Sequence, residues 1–500
     1  MIVKNQGSYR QIMKATSIFG GVQVFTIVIS LIKSKFVAIW LGASGMGVWG
    51  LLNAPIAIIT TVSGLGLAIS ATQKIAKANG SDNEDQISST ITTFKRWVWF
   101  SGFLGMFLTL ILAPWLSKWT FGNDNYILAF SILSLSLLFN NLSAGQKVLL
   151  QGMRKIKYMA NANIFGAIVG LLFSLPLYYF FGNKGIVPAI IITSLVALYL
   201  SWYYSKKIKI KPIDISLRNS FFHGLEMVKL GLVMAFSGFI GTLIRYVIIA
   251  YINRNGSIEE VGFYNVGNNL ITGYVGMIFA AMATDYFPRI SGTLDNKEFI
   301  NQVNYQIEIS LLILTPLCIL LMIFLPFFVQ LLYSKEFLAV IPMIEWLLIA
   351  TIIKSISWSM GFMFLAKANF TTAFIIDNVI NIFLLVGYIG MYSFLGLEGI
   401  GIGEVILFCL AIVITYYLSN KKYLFHFTKQ IKILSIKSII CISTIFILLR
   451  IFDRTVLTIS IILIVYSVIL VHYLYEIDKR LNIKPLLKTF LSKYNDKSRS

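Results

Sequence analysis

The sequence predicts an all-α polytopic membrane protein with about 14 transmembrane helices. Three observations carry that prediction. Apolar residues make up 57% of the 500 and charged residues only 13%, about half the share usual in soluble proteins. The mean hydropathy is +0.79, more than an aqueous fold can bury. The apolar residues also come in runs of about 20, bounded by charges or turn residues, the length that crosses a hydrocarbon core about 30 Å thick.

Taken in order, the expected spans cover residues 12–36, 46–69, 94–116, 126–150, 158–181, 185–205, 227–251, 262–287, 305–333, 339–366, 371–395, 399–418, 431–452 and 455–475. The first follows a charged start (Lys4, Arg10, Lys14) with no small-residue cleavage site, so it reads as an anchor and not as a removable signal. Continuous apolar runs, not period-two alternation, favour helices over an outer-membrane barrel. No loop is long enough to be a domain. The longest, KKIKIKPIDISLRNSFFHGLE at 206–226, is basic and reads as an interfacial linker between two bundles. Function must therefore be built inside the bilayer.

Lys and Arg outnumber Asp and Glu by 42 to 21, a net charge of +21. In a soluble protein this would suggest nucleic acid, but the hydropathy excludes an aqueous nucleic-acid binder. About 30 of the cations lie on the N-terminal side of the membrane and about 8 on the other, so the positive-inside rule places the rich side and both termini in the cytoplasm. The tail from Lys479 carries a run of cations suited to anionic headgroups. Cys318, Cys409 and Cys441 lie far apart in apolar runs and read as small buried hydrophobes.

The first six spans can be laid over the next six. Leu31-Ile32-Lys33 leads to Gly47-Val48-Trp49 as Leu243-Ile244-Arg245 leads to Gly262-Phe263-Tyr264. From Gly47 to Lys74, and again from Gly262 to Arg289, is 27 residues, and Gly182-x-x-Gly185-Ile186 recurs as Gly396-x-x-Gly399-Ile400. Six is even, so the halves enter the membrane alike and are related by a pseudo-two-fold along the membrane normal, the arrangement of alternating-access transporters. The expected organisation is an N-terminal six-helix bundle at 1–205, the linker 206–226, a second bundle at 227–420, two extra transmembrane helices at 421–476 and a basic tail at 477–500.

An ionisable residue at the bilayer centre costs about 2.5–3.5 kcal/mol on insertion scales, so each one needs a reason. Lys354 is central in the tenth span, with Thr351, Ser355, Trp358 and Gly361 as neighbours on one helix face. It reads either as facing a watery cavity or as half of a structural ion pair. Arg245 follows Ser237, Gly238, Gly241 and Thr242 and faces a cavity or snorkels outward. Lys33 ends the first span with Lys35, or acts as Arg245's counterpart in the repeat. Cations from both bundles facing one cavity would bind phosphate or diphosphate. Asp377, beside Asn378 and Asn381, reads as a coupling group for H⁺ or Na⁺, or as a helix-capping or ion-pairing carboxylate. Asn265, Asn268, Asn269, Asn140 and Asn141 suit a hydroxyl-rich sugar or, equally, helix packing, while Gly166 and Gly170 read as a small-residue packing pair. The scattered His223, His426 and His472 form no ligand set, and no nucleophile and base stand together, so neither a metal site nor an enzyme is indicated.

Three segments resemble a known family: SKFVAIWLGASGMGVWGLL, VGFYNVGNNLITGYVGMIFAAMATDYFPRIS and IIKSISWSMGFMFLAKANFTTAFIIDNV. The last holds Lys354, the Ala366-Lys367-Ala368 turn and Asp377. Over roughly residues 10–420 the chain is similar to the Wzx O-antigen and polysaccharide repeat-unit flippases of the multidrug/oligosaccharidyl-lipid/polysaccharide exporter superfamily. The resemblance implies a pair of bundles that moves an undecaprenyl-diphosphate-linked oligosaccharide from the cytoplasmic to the external leaflet of the bacterial inner membrane. It implies a cation-lined diphosphate cavity, with no cofactor besides a coupling ion. Membrane lipids, a polysaccharide polymerase and a chain-length regulator would be partners. Lys33 stands where the related lipid II flippase has a cavity arginine, nine residues before Gly42. The two extra helices are absent from shorter Wzx members and leave room for a lipid II flippase reading. A multidrug antiporter of the same superfamily would instead have an acid-dominated cavity. A membrane polymerase or glycosyltransferase joining the same sugars would need a sizeable domain outside the membrane.

Overall fold

A computed structural model describes residues 2–80, 83–211 and 213–481. The described residues are helical throughout: α1 (Ile2–Ser63), α2 (Leu67–Asn79), α3 (Glu84–Phe121), α4 (Ile127–Gly152), α5 (Ile156–Phe181), α6 (Ile186–Ser205), α7 (Leu217–Asn255), α8 (Ile258–Asn268), α9 (Gly276–Ser291), α10 (Asn296–Ile323), α11 (Leu325–Leu332), α12 (Ile341–Ala366), α13 (Phe370–Tyr423), α14 (Lys429–Ile451) and α15 (Val456–Leu481). Side chains in the loops set several starts: Asn83, Ser216, Asp295, Asn369 and Thr428 each accept from the backbone N–H three residues on. Of the expected basic tail, residues 482–500 lie outside the described residues.

Every expected span falls on helix, with three differences in detail. The second stops at Ser63, where Leu65 and Gly66 take positive φ, and the chain continues as the separate helix α2. The eighth carries a π-helical turn, Asn269–Val275, between α8 and α9. The ninth breaks at Phe324 into α10 and α11, where Pro326 supplies no N–H to continue the hydrogen-bond ladder. Of the cysteines, Cys318 is buried as expected, but Cys409 is exposed and Cys441 half-buried, since helices in lipid need not turn apolar residues inward.

The repeat inferred from spacing is visible in backbone geometry. Gly182 (φ 54°, ψ −135°), at the end of α5, and Gly396 (φ 59°, ψ −143°), at a non-helical break inside α13, turn the chain with nearly the same dihedrals, a region costly for any residue with a Cβ. Three residues on, a Cβ on Gly185 would lie 2.2 Å from the Leu177 carbonyl oxygen, and one on Gly399 would lie 2.0 Å from that of Met391. Each carbonyl is eight residues upstream of its glycine. The pair Gly47 and Gly262 goes further, because the two meet. A Cβ on Gly47 would lie 1.9 Å from the Ile258 carbonyl oxygen, and one on Gly262 would lie 2.1 Å from that of Ala43. Each glycine faces the residue four before the other, the reciprocity of a local two-fold.

By packing, the chain divides into Met1–Asn265 with Gln330–Phe337, and Val266–Val329 with Leu338–Ser500. This boundary falls later than the 206–226 linker at which the sequence divides the bundles. The reason is α7, which packs against α1, α2 and α3. Gly231 of α7 touches the backbone at Gly66, Tyr246 OH bonds Thr120 at 3.0 Å, and Asn253 donates to the Thr120 carbonyl at 2.8 Å.

In the second unit the two extra helices are tied to α10 and α12 by buried carboxylates. Glu345 is 3% exposed and receives Arg450 at 3.1 Å and Arg454 at 2.6 Å; Arg450 also reaches Glu398 at 2.7 Å. At the far end of α15, Arg480 pairs with Glu308 and Glu476. Removing one member of a buried pair strands the other. Glu345→Gln is thus expected to cost about 3 kcal/mol, read as a lower melting temperature in detergent with earlier proteolysis within 429–481. An unchanged melt would show that the pair does not hold α14 and α15.

Candidate functional site

Within the second unit α12 and α13 enclose a cavity of about 250 Å³ lined by both Lys354 and Asp377. From α12 it is bordered by Lys354, Ser357, Trp358, Gly361 and Leu365, which recur at helical spacing on one face. This face differs from the expected one. Thr351 and Ser355 are buried and bond the carbonyls of Leu347 and Ile352 on their own helix, so they turn into the bundle and do not border the cavity.

Lys354 Nζ lies 5.8 Å from the Phe279 ring centroid and 5.2 Å from that of Phe408. Trp358 packs edge-on to Phe279 at 5.1 Å and to Phe362 at 5.0 Å, and fully buried Tyr286 anchors this wall by donating to the Ser359 carbonyl at 2.8 Å. The ammonium thus sits against negative aromatic faces. Among the described residues it has no carboxylate within 4 Å, so Lys354 does not form the structural ion pair. Asp377 shares the cavity and, among the described residues, has no ion pair of its own. Its neighbour Asn378 donates to the Phe374 carbonyl at 2.8 Å. A cation held by aromatic rings and lacking a counter-ion can pair with an incoming anion.

The first unit holds the other two expected cations, Lys33 half-buried on α1 and Arg245 exposed on α7. Neither has an ion-pair partner among the described residues. Ser237, behind Arg245, lies outside the described side chains. Lys35 instead is engaged, donating to the carbonyls of Gln330 at 2.6 Å and Tyr333 at 2.5 Å. It thereby satisfies carbonyls at the end of α11, which separates it from Lys33 in role.

The amides divide. Asn141 is buried and donates to Ser63 Oγ at 3.2 Å and the Ser101 carbonyl at 3.3 Å, which is helix packing. Asn265 lies against Gly50, where a Cβ would come within 1.9 Å of its Nδ2, and that nitrogen is buried without a partner. Asn268 and Asn269 are half-buried where the π-helical turn begins, a device that often marks functional positions, and Asn140 is half-buried on α4. Gly170 packs on Thr193 with a Cβ distance of 3.3 Å, but Gly166 has nothing within 4 Å, so the expected small-residue pair is one contact and not two. Sequence reasoning misses Phe279 and Phe408 as the flanks of Lys354, since aromatic residues on apolar helices carry no periodic mark of what they face.

Residues 56–342, more than half of the chain, match the model of a family described as polysaccharide biosynthesis protein. Among curated proteins the chain is 22% identical over 352 residues to the lipid III flippase of Escherichia coli K12, covering 68% of this chain and 81% of that protein. It is 25% identical over 295 residues to a protein of Shigella flexneri named as a candidate O-antigen transporter, covering 57% of this chain and 68% of that one. Among solved structures, the lipid II flippase MurJ in an inward closed conformation superposes with a TM-score of 0.68 at 13% identity, over 93% of this chain and 99% of that one. The chain is thus a multi-pass bacterial membrane protein that belongs to the polysaccharide biosynthesis protein family.

Proposed function

We propose that the protein is a flippase that carries an undecaprenyl-diphosphate-linked oligosaccharide repeat unit, of O-antigen or capsule, from the cytoplasmic to the outer leaflet by alternating access. The observation that carries this reading is Lys354, a cation without a counter-ion among the described residues, in a cavity between membrane helices. Kinship with proteins named for flipping lipid-linked glycans supports it. In this reading Lys33, Arg245 and Lys354 engage the diphosphate. Asn140, Asn268 and Asn269 are the amides best placed to meet sugar hydroxyls, and both termini are cytoplasmic. A polysaccharide polymerase and a chain-length regulator would take over the product outside.

Deleting the gene in a strain without a second flippase is expected to leave labelled repeat units on the cytoplasmic leaflet; normal outward transfer would contradict the assignment. Asp377 would couple transport to H⁺ or Na⁺. Asp377→Asn is therefore expected to make the rate independent of an imposed proton or sodium gradient, measured in vesicles, and a retained gradient dependence would remove it from that role.

A further inference from the structure

A second cavity, of about 370 Å³, lies in the first unit where α3, α4 and α6 reach the cation-rich face. Its polar side chains are Lys95 from α3, Gln146 from α4, and Ser205 with Lys206 at the end of α6, between walls that include Trp99 and Trp202. No acidic residue among the described residues lines it. Asp85 and Glu226, acids of the same face, are paired with Lys211 at 3.0 Å and Lys74 at 2.8 Å. Lys95 and Lys206 have no carboxylate within 4 Å among the described residues. Lys206 Nζ instead lies 5.1 Å from the Trp202 ring centroid.

Gln146 completes the set. Its amide oxygen accepts from Ser205 Oγ at 2.5 Å, which orients the amide and leaves its N–H groups open among the described residues. The open polar groups are then two ammonium groups and one amide NH₂, all donors. A site that offers only donors and positive charge selects an anion with several acceptor oxygens.

What adjoins the cavity says which kind of anion. Trp99, Phe103 and Phe107 follow one another four residues apart along α3, stacked with centroids 5.6 and 6.3 Å apart. They are 51%, 41% and 54% exposed, so this strip faces away from the core. It runs about 12 Å from the cavity into the apolar part of the helix. A free phosphate has no use for it, whereas an acyl chain does. Tryptophan at the mouth suits the headgroup level.

We propose that this cavity binds an anionic glycerophospholipid of the cytoplasmic leaflet, its phosphodiester held by Lys95, Lys206 and Gln146 and an acyl chain lying along Trp99, Phe103 and Phe107. The proposal rests on the charge-based orientation and not on the transported substrate, and its test is binding and not transport. Full-length protein is purified in mild detergent, offered phosphatidylglycerol and phosphatidylcholine together, and read by native mass spectrometry. One phosphatidylglycerol per chain is expected to be retained in preference to phosphatidylcholine. Lys95→Ala with Lys206→Ala should lower that retention about 25-fold, taking about fivefold per lysine near an anionic lipid, while the double arginine variant keeps it. Should the alanine variant fail to accumulate, the wild-type preference and the effect of Trp99→Ala still decide. Equal retention of the two lipids, or undiminished binding in the alanine variant, would overturn the proposal. Displacement by inorganic phosphate would also overturn it, as a free-anion site, and so would displacement by undecaprenyl diphosphate, as an entry point for substrate.

Discussion

Lys354→Ala is expected to lower outward transfer of the lipid-linked substrate by about 10- to 150-fold while the protein still inserts and melts near the wild-type temperature. The magnitude is that of a charge-assisted hydrogen bond, about 1.5–3 kcal/mol, with each 1.36 kcal/mol worth about tenfold. Stability should change little because the ammonium has no counter-ion among the described residues to strand. Its contacts are the faces of Phe279 and Phe408 at 5.8 and 5.2 Å. Lys354→Arg keeps the charge and can fork to a diphosphate, so it should retain most activity. Transfer rates in inverted vesicles, normalised to inserted protein, check both variants. Full activity in the alanine variant would remove the cation from the site.

Gly262→Leu and Gly47→Leu are expected to abolish transfer and lower the melting temperature. At this crossing of α1 and α8 a Cβ would stand 2.1 and 1.9 Å from backbone carbonyl oxygens, which cannot move aside as a side-chain end can. Overpacking costs about 1–3 kcal/mol even where side chains can adjust, so these variants belong at the upper end or beyond. Gly166→Ala, with nothing within 4 Å, is the control and should melt like the parent. If Gly262→Leu matches that control, the close approach of the two helices is not a feature of the folded protein.

The contrast between these glycines shows what a sequence exposes. Gly47 and Gly262, and Gly182 and Gly396, match by spacing, and each pair proves equivalent in geometry because a duplicated segment repeats its backbone demands along with its residues. Gly166 pairs with Gly170 by spacing alone, and there the inference fails because small residues at i and i+4 mark a face without saying what covers it. Charge is legible in the same partial way. Lys354 and Asp377 stand out as anomalies in apolar helices, and they do share a cavity. That Glu345 is consumed by Arg450 and Arg454 is hidden in the sequence, since those partners lie more than 100 residues away and no local pattern joins them. The π-helical turn at Asn269–Val275 has no sequence signature beyond the polar cluster that marks the segment.

The most direct test of the central claim uses purified protein in liposomes loaded with a fluorescent undecaprenyl-diphosphate-linked oligosaccharide, the two leaflets being distinguished by a membrane-impermeant quencher. Wild-type protein is expected to move label between leaflets, and Lys354→Ala reconstituted at equal density is expected to move it at least tenfold more slowly, the lower bound of the charge-assisted bond. Equal movement in the two preparations, or none in the wild type when an ion gradient is supplied, would contradict the account.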